Sequence, residues 1–458
     1  MSAFGDVVIL LPGITGSVLA NAAGKEVWST SAGAIWRAIK SFGGSIEDLE
    51  LATDGDPRGV QATRLMPDLT IVPGLIKIDG YTRIEEYLIA QLGLERGKNY
   101  FPFPYDWRLD NRINAKRLAD QALDRLKKWR ASSGNAQAKL VLIGHSMGGL
   151  VSRYFLECLG GWRDARALFT LGTPHQGSLS AVDFLVHGMK KGIGPLGLDL
   201  SPLLRSYPSV YQLLPIYRCI DTGDGAPSLV KDAAAAGRLP NVHADRAQQA
   251  RDFHREIEDA QKRNARESAY AENGYRLVPL VGIEQPTLQS ARVTGTEVEL
   301  LRSLEGHDDA GDGTVPRVSA TPIELEGQER EIFAAEMHGS LQNGDGTLAN
   351  LKGMLLKPQT DLRKLRAELP TALSLDLDDV VLPGQPLTVR VRAGEGNPRV
   401  EATLTHVPTG KTLAEPLVRA REPGWQHAEF DLEPGTWRVR VQAPGTAAVT
   451  DLAMVVAP

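Results

Sequence analysis

Cysteine is almost missing from this chain: Cys158 and Cys219 are the only two in 458 residues. That excludes a disulfide framework and a cysteine-rich zinc site, and it predicts a reducing compartment, the cytosol. Basic residues are not in excess. Lys and Arg number 51 against 56 Asp and Glu, a net charge of −5, which excludes a generally basic nucleic-acid binder. No apolar run reaches the roughly 18 residues that a membrane-spanning helix needs. The opening Met1-Ser2-Ala3-Phe4-Gly5-Asp6 puts no basic residue before the short apolar run Val7–Leu11, and Pro12-Gly13 breaks that run, so no secretory signal is expected. Internal repeats and low-complexity tracts are also missing. The remainder is ordinary for a soluble folded chain, 42% hydrophobic and 23% charged. The length suits about three units, or one large domain with a small one.

The apolar runs set the fold class. Val7–Leu11, residues 140–143 and residues 167–171 read as buried strands, and the sheet resumes over 275–283. Helical spacing separates them. Ala115, Leu118, Ala119, Ala122, Leu123, Leu126 and Trp129 share one face of a helix over 111–130. Leu150, Val151, Tyr154, Phe155, Cys158 and Leu159 share another, which stops at Gly160-Gly161. Strands alternating with helices predict a mostly parallel sheet covered on both faces. Residues 21–80 are irregular, with Trp28, Ile35, Trp36, Ile39 and Phe42 scattered among Gly and Ser. A loop of that length reads as a lid. Residues 178–274 read as an inserted helical cap, with a stripe of Ala250, Phe253, Ile257 and Ala260. Beyond Leu369-Pro370 the period becomes two: Leu373/Leu375/Leu377, Leu387/Val389/Val391, Ala428/Phe430/Leu432 and Trp437/Val439/Val441. Pro-Gly turns separate these runs, so residues 371–458 are expected to form a small antiparallel β-sandwich, immunoglobulin-like or fibronectin-like, after a larger α/β domain over 1–370.

Gly144-His145-Ser146-Met147-Gly148 lies between the 140–143 strand and the helix that begins near Leu150. A serine at such a turn needs a strained backbone, and the flanking glycines remove side chains that would clash. The turn lifts the hydroxyl above the sheet edge and places the Met147 N–H at a helix N-terminus, where an oxyanion is stabilised. Ser146 is therefore the candidate nucleophile, and it needs a base. In an α/β-hydrolase the order is Ser, then Asp or Glu, then His. Of nine histidines, three follow the best acid candidate. His406 and His427 fall in the sandwich, which leaves His338. The acid candidate is Asp312, in Gly311-Asp312-Gly313-Thr314, with Asp308 and Asp309 as close rivals. The same acidic stretch could be a calcium loop, but it lacks the terminal Glu and the ligand spacing of an EF-hand. Pro12-Gly13-Ile14-Thr15-Gly16 follows the first strand, and the Ile14 N–H is the candidate second oxyanion donor.

Taken together, several motifs resemble the lecithin:cholesterol acyltransferase family, which includes lysosomal phospholipase A and the plant phospholipid:diacylglycerol acyltransferases. They are Leu11-Pro12-Gly13-Ile14-Thr15-Gly16-Ser17-Val18-Leu19, Tyr105-Asp106-Trp107-Arg108, Gly144-His145-Ser146-Met147-Gly148, Leu171-Gly172-Thr173-Pro174-His175-Gln176-Gly177, Tyr207-Pro208-Ser209-Val210, Gly311-Asp312-Gly313-Thr314-Val315 and His338-Gly339. The resemblance spans about residues 7 to 357. It implies an α/β-hydrolase fold with an inserted helical cap and lid loop, and acyl-ester chemistry on lipids through an acyl-serine. Carried over, Ser146, Asp312 and His338 form the triad, and Ile14 and Met147 form the oxyanion hole. The animal relatives pin a lid with a disulfide; residues 21–80 here contain no cysteine. Tyr105-Asp106-Trp107-Arg108 reads either as a wall of the cleft or as a buried Asp–Arg pair under a packed Trp. Phe184, Leu185, Val186, Leu196, Leu198, Leu203 and Leu204 read either as an acyl tunnel or as core.

The expected function is a serine acyl hydrolase or O-acyltransferase acting on lipid esters, of phospholipase type. Expected partners are a lipid ester or phospholipid, met at a membrane surface, and no nucleic acid. No metal or nucleotide cofactor is implied. Two rival readings stay open. In one, residues 371–458 dock the hydrolase to a protein partner in a larger assembly. In the other, the same machinery serves a non-lipid carboxylesterase.

Overall fold

We describe the protein from a computed structural model covering residues 4–29, 49–53, 55–67, 70–72, 76–191, 198–328, 331–356, 372–382, 384–394, 398–420, 422 and 424–456. Six segments build one parallel sheet: β1 (Val7–Leu11), β2 (Tyr100–Pro102), β3 (Leu140–His145), β4 (Ala165–Leu171), β5 (Arg276–Gly282) and β6 (Ile332–Ala334). Their spatial order is β6-β5-β4-β3-β1-β2, and every pairing is parallel. All residues of β1 and β3 are buried. A strand covered on both faces has no reason to alternate, which is why both read as continuous apolar runs. β2 carried no such signal. It is three residues long and ends in Pro102, which cannot donate to a ladder and is tolerated at this sheet edge.

The helices that matter here are α1 (Thr82–Leu92), α2 (Asn111–Ser133), α3 (Met147–Cys158), α4 (Leu179–Val186), α5 (Ser201–Ser206), α6 (Ala244–Asn264) and α7 (Asp345–Leu356). α2 begins where the Asp110 carboxylate accepts the Arg112 N–H and ends at Gly134, with φ 70°. Of the expected face, Ala115, Leu118, Ala119, Ala122 and Leu126 are buried, Trp129 is half-buried and Leu123 is 40% exposed. At 3.6 residues per turn Leu123 sits roughly 80° from the centre of the stripe, on its rim.

The expected cap over 178–274 is helical but divides in two. α4 and α5 pack on each other. The stripe of α6 (Ala250, Phe253, Ile257 and Ala260) is buried, yet Phe253 and Ile257 pack on Leu150 of α3. α6 therefore lies against the sheet's helical layer as well as against Pro208–Tyr211 and Val230–Ala235 of the same inserted segment. Within the lid-like segment 21–80, residues 30–48, 54, 68–69 and 73–75 lie outside the described residues, and Ile35, Trp36, Ile39 and Phe42 fall there. The described part is not irregular. Glu26–Trp28 and Gln61–Leu65 flank Ser17–Ala20 in an antiparallel sheet, and Thr70–Val72 pairs with Ile76–Ile78.

The C-terminal strands are β7 (Leu373–Leu377), β8 (Val380–Val381), β9 (Leu387–Ala393), β10 (Glu401–His406), β11 (Thr412–Pro416), β12 (Val418–Arg419), β13 (Trp425–Phe430), β14 (Gly435–Gln442) and β15 (Val449–Val455). They form sheets β7-β9-β13-β12 and β8-β15-β14-β10-β11. Leu387, Val389, Val391, Trp437, Val439 and Val441 fill the core between the sheets, as the period of two predicts. All pairings are antiparallel except β8 with β15. The expected boundary at 370/371 lies outside the described residues. No described helix is long and apolar enough to cross a membrane.

Candidate active site

Ser146 stands between β3 and α3 with φ 52° and ψ −126°, a backbone conformation that a serine adopts only when its surroundings enforce it. The enforcing contacts are visible. The Ser146 N–H donates to the Leu171 carbonyl (2.8 Å), extending the β3–β4 ladder by one rung. The Thr173 hydroxyl donates to the Ser146 carbonyl (2.9 Å). A Cβ at Gly148 would lie 2.5 Å from the Pro12 carbonyl oxygen, so only glycine lets α3 start this close to the end of β1.

His338 and Asp312 meet that hydroxyl. His338 Nε2 lies 2.9 Å from Ser146 Oγ, and His338 Nδ1 lies 2.7 Å from Asp312 Oδ2. The His338 backbone N–H also donates to the Asp312 carbonyl (2.7 Å), which fixes the two loops to each other. Asp312 Oδ1 accepts the N–H groups of Thr314 (3.0 Å) and Val315 (2.7 Å). That leaves Oδ2 for the imidazole. A carboxylate only accepts, so Nδ1 carries the proton and the Nε2 lone pair faces the serine. The arrangement can take a proton from Ser146 and stabilise the resulting imidazolium.

A second chain of hydrogen bonds runs behind the first. The buried Tyr81 hydroxyl accepts the Gly13 N–H (2.8 Å) and lies 2.7 Å from His145 Nδ1, while His145 Nε2 lies 3.0 Å from the His338 carbonyl. The carbonyl can only accept, so His145 Nε2 carries the proton and Nδ1 accepts from Tyr81. Burial, and then the nearby His338, push the His145 pKa down to about 3. Tyr81 had no sequence signal: one tyrosine ahead of a helix forms no pattern.

Beside Ser146 opens a cavity of about 280 Å³. Ile14, Ile78, Phe184, Leu204, Val210 and Met337 supply apolar wall, and the polar residues Lys77, Asp379 and Asp451 also line it. Of the two expected oxyanion donors, Ile14 lines the cavity, and Met147 is buried at the first turn of α3. Among the described residues neither N–H donates to a backbone carbonyl. Of the suggested tunnel residues, Phe184 and Leu204 line the cavity, whereas Leu185, Val186 and Leu203 belong to the core. Leu196 and the side chain of Leu198 lie outside the described residues.

The rivals fall elsewhere. Asp308 and Asp309 are exposed, and the Asp308 carboxylate accepts from Gln289 Nε2 (2.7 Å) and the Ala310 N–H (2.9 Å). His406 is buried against Trp437. Arg108 and Asp106 form a fully buried pair (2.7 Å), and Trp107 packs on Trp28 and Tyr207. Tyr105-Asp106-Trp107-Arg108 is therefore structural and lies outside the cavity wall. Burial pushes the Cys158 thiol up to about 12 and raises that of Cys219, as expected of core thiols.

Residues 75–274 match the family model described as lecithin:cholesterol acyltransferase. The resemblance to that family holds. Lecithin-cholesterol acyltransferase-like 4 of Arabidopsis thaliana is 26% identical over 236 residues, which is 45% of this chain and 42% of that protein. An uncharacterized Saccharomyces cerevisiae protein is 31% identical over 175 residues, 38% of this chain and 23% of its own. The chain thus spans less than half the length of either relative. Among solved structures, the mature Bacillus licheniformis lipase BlEst2 aligns at 12% identity over 77% of this chain and 92% of the lipase, with a TM-score of 0.36. The fold is a parallel sheet with helices between its strands, and additional, mostly antiparallel sheets lie at the C-terminal end. Within the lecithin:cholesterol acyltransferase match lie Ser146, Thr173, Tyr81 and the cavity residues Phe184, Leu204 and Val210. Ile14, Asp312 and His338 lie outside it, so their place in the site rests on geometry.

Proposed function

We propose that this chain is a serine acyl hydrolase or O-acyltransferase acting on lipid esters, of phospholipase type, and that Ser146, His338 and Asp312 are its triad. The observation that carries the reading is the unbroken hydrogen-bond chain from Ser146 through His338 to Asp312, set at the wall of a largely apolar cavity. His338 Nε2 takes the hydroxyl proton as Ser146 Oγ attacks the ester carbonyl. The N–H groups of Ile14 and Met147 hold the oxyanion. His338 then gives the proton to the departing alcohol or lysolipid, leaving an acyl-serine. Water or an acceptor alcohol removes the acyl group, again with His338 as base. Phe184, Leu204 and Val210 give an acyl chain apolar surface in exchange for water. The test is mass spectrometry of a total lipid extract incubated with the parent protein and with Ser146→Ala. The parent should release fatty acid or form new esters, and the variant should do neither. Equal product from the two would overturn the assignment. Short-chain esters consumed while phospholipid vesicles stay intact would favour a non-lipid esterase.

A further inference from the structure

The C-terminal sandwich reaches the candidate site. Asp379, in the turn between β7 and β8, and Asp451, on β15, both line the cavity beside Ser146. One residue from the hydrolase side joins them: Lys77 Nζ lies 2.8 Å from Asp379 Oδ1 and 2.7 Å from Asp451 Oδ2. Burial works against the Lys77 charge, but the Asp451 and Asp379 carboxylates outweigh it and hold the ammonium above its ordinary pKa. Burial in turn raises the Asp451 carboxyl, against the pull of Lys77, and the bridge is mostly shielded from water, with the Lys77 side chain 16% exposed.

The backbone of the same residue bears on the loop that carries His338. A Cβ at Gly339 would collide with the Lys77 carbonyl oxygen, so the two backbones touch and only glycine fits. The Asp79 N–H donates to the Gly339 carbonyl (2.8 Å). Further ties run from this region to the sandwich. Arg438 of β14 pairs with Asp79, and the Thr450 N–H of β15 donates to Glu336, two residues before His338 (3.0 Å). The His338 loop thus rests on Ile76–Ile78 and Asp79, and that strand is fastened to β14 and β15.

We propose that Lys77, Asp379 and Asp451 form a positioning staple through which the sandwich sets His338 against Ser146. The proposal rests on reading Ser146 as the nucleophile. The sandwich is then part of the catalytic unit, more than a docking module or a passive cover. The staple residues act through the loop and touch no reacting atom. Their removal shifts the imidazole, and a displacement on the order of 1 Å can cost about a hundredfold in rate.

The experiment uses the full chain and two readouts: turnover of p-nitrophenyl butyrate, and the rate at which a fluorophosphonate labels Ser146. Lys77→Met should lower kcat about tenfold or more and slow labelling in proportion, with KM within about twofold of the parent. Lys77→Arg should recover most of the rate, because a guanidinium can span both carboxylates. Lys77→Met combined with Asp451→Asn should be no slower than the worse single variant, since both cut one bridge. Parent-like kcat and labelling in Lys77→Met, or independent losses in the double variant, overturn the proposal. Should Lys77→Met fail to fold, Asp379→Asn decides: a fall in kcat at an unchanged melting temperature supports the staple, and an unchanged kcat refutes it. A parent protein that neither turns over ester nor labels at Ser146 overturns the staple together with the function it serves.

Discussion

Asp312→Asn removes one charge and adds one donor, and the surrounding contacts dictate where that donor points. In the parent, Oδ1 accepts two backbone N–H groups, from Thr314 and Val315, and Oδ2 accepts from His338 Nδ1. The asparagine amide must keep its oxygen on the two backbone donors, because an NH₂ there would face N–H groups head on. Its NH₂ then takes the Oδ2 position and donates to Nδ1. His338 is driven to the other tautomer, with the proton on Nε2, pointing at Ser146 Oγ. A base already protonated toward its nucleophile cannot accept the proton. The expected loss in kcat is about 10⁴-fold, or ~5.5 kcal/mol of transition-state stabilisation at ~1.36 kcal/mol per factor of ten. Folding should change little, since both backbone hydrogen bonds survive. The assay is p-nitrophenyl butyrate turnover beside thermal melting. Asp308→Asn is the control: its carboxylate serves Gln289 and Ala310 in an exposed loop, and its kcat should stay within about twofold of the parent, the range of a surface change. An Asp312→Asn enzyme within tenfold of the parent, or an equal loss in Asp308→Asn, would refute the reasoning.

Tyr81→Phe strands the buried Gly13 N–H and His145 Nδ1, and should cost about 2–4 kcal/mol in a urea titration, since each unpaired buried polar group costs ~1–3 kcal/mol. It should also lower kcat, because Gly13 precedes Ile14, the proposed oxyanion donor; full stability and full activity would show that Tyr81 holds nothing. Glu336 makes a pH prediction. Burial pushes its carboxyl from 4.5 up to about 8, against the opposing pull of the Thr450 N–H and Arg440, and with Asp345 and Asp79 adding to the rise. A group raised in the folded state is protonated there and ionised in the unfolded chain. Its stabilisation is therefore complete below pH 4.5 and is lost as pH rises toward 8. Glu336→Gln should flatten that decline by about 1–2 kcal/mol between these limits, allowing for partial solvent contact. Parallel stability curves for parent and variant would contradict it.

Legibility followed burial and local geometry. β1, β3 and β4 announced themselves because strands covered on both faces need unbroken apolar runs, and Ser146 did because a strained turn between strand and helix requires small neighbours. His338 and Asp312 were reachable through chain order. β2 was not, because an edge strand of three residues carries too little pattern. The split of the cap was not either: an apolar stripe says that a helix face is covered, but not whether the cover is α4 or α3. Lys77, Asp379 and Asp451 were least legible of all. They lie 302 and 72 residues apart along the chain (379 − 77 and 451 − 379), and ion pairs between segments that distant leave no local periodicity. Charged residues ordinarily read as solvent-facing, and only the fold brings these three together beside the cavity, with Asp451 buried and Lys77 and Asp379 half-buried.

The His145 in the serine motif invites a reading as a spare base, and its surroundings argue against it. Its ring centroid lies 5.1 Å from that of His338. In the proposed mechanism His338 becomes a cation as it takes the serine proton, and a second cation at that distance would cost about 3 kcal/mol at an effective dielectric constant near 20. That is more than two factors of ten in rate. The structure avoids this by burial, which holds His145 near a pKa of about 3, and by occupying both its nitrogens. Nε2–H donates to the His338 carbonyl, and Nδ1 accepts from Tyr81. A neutral ring can be packed against the working histidine, anchor its backbone, and connect it through Tyr81 to the Gly13 loop without opposing the charge that develops there. The positive charge proposed to develop on His338 is left to face Asp312.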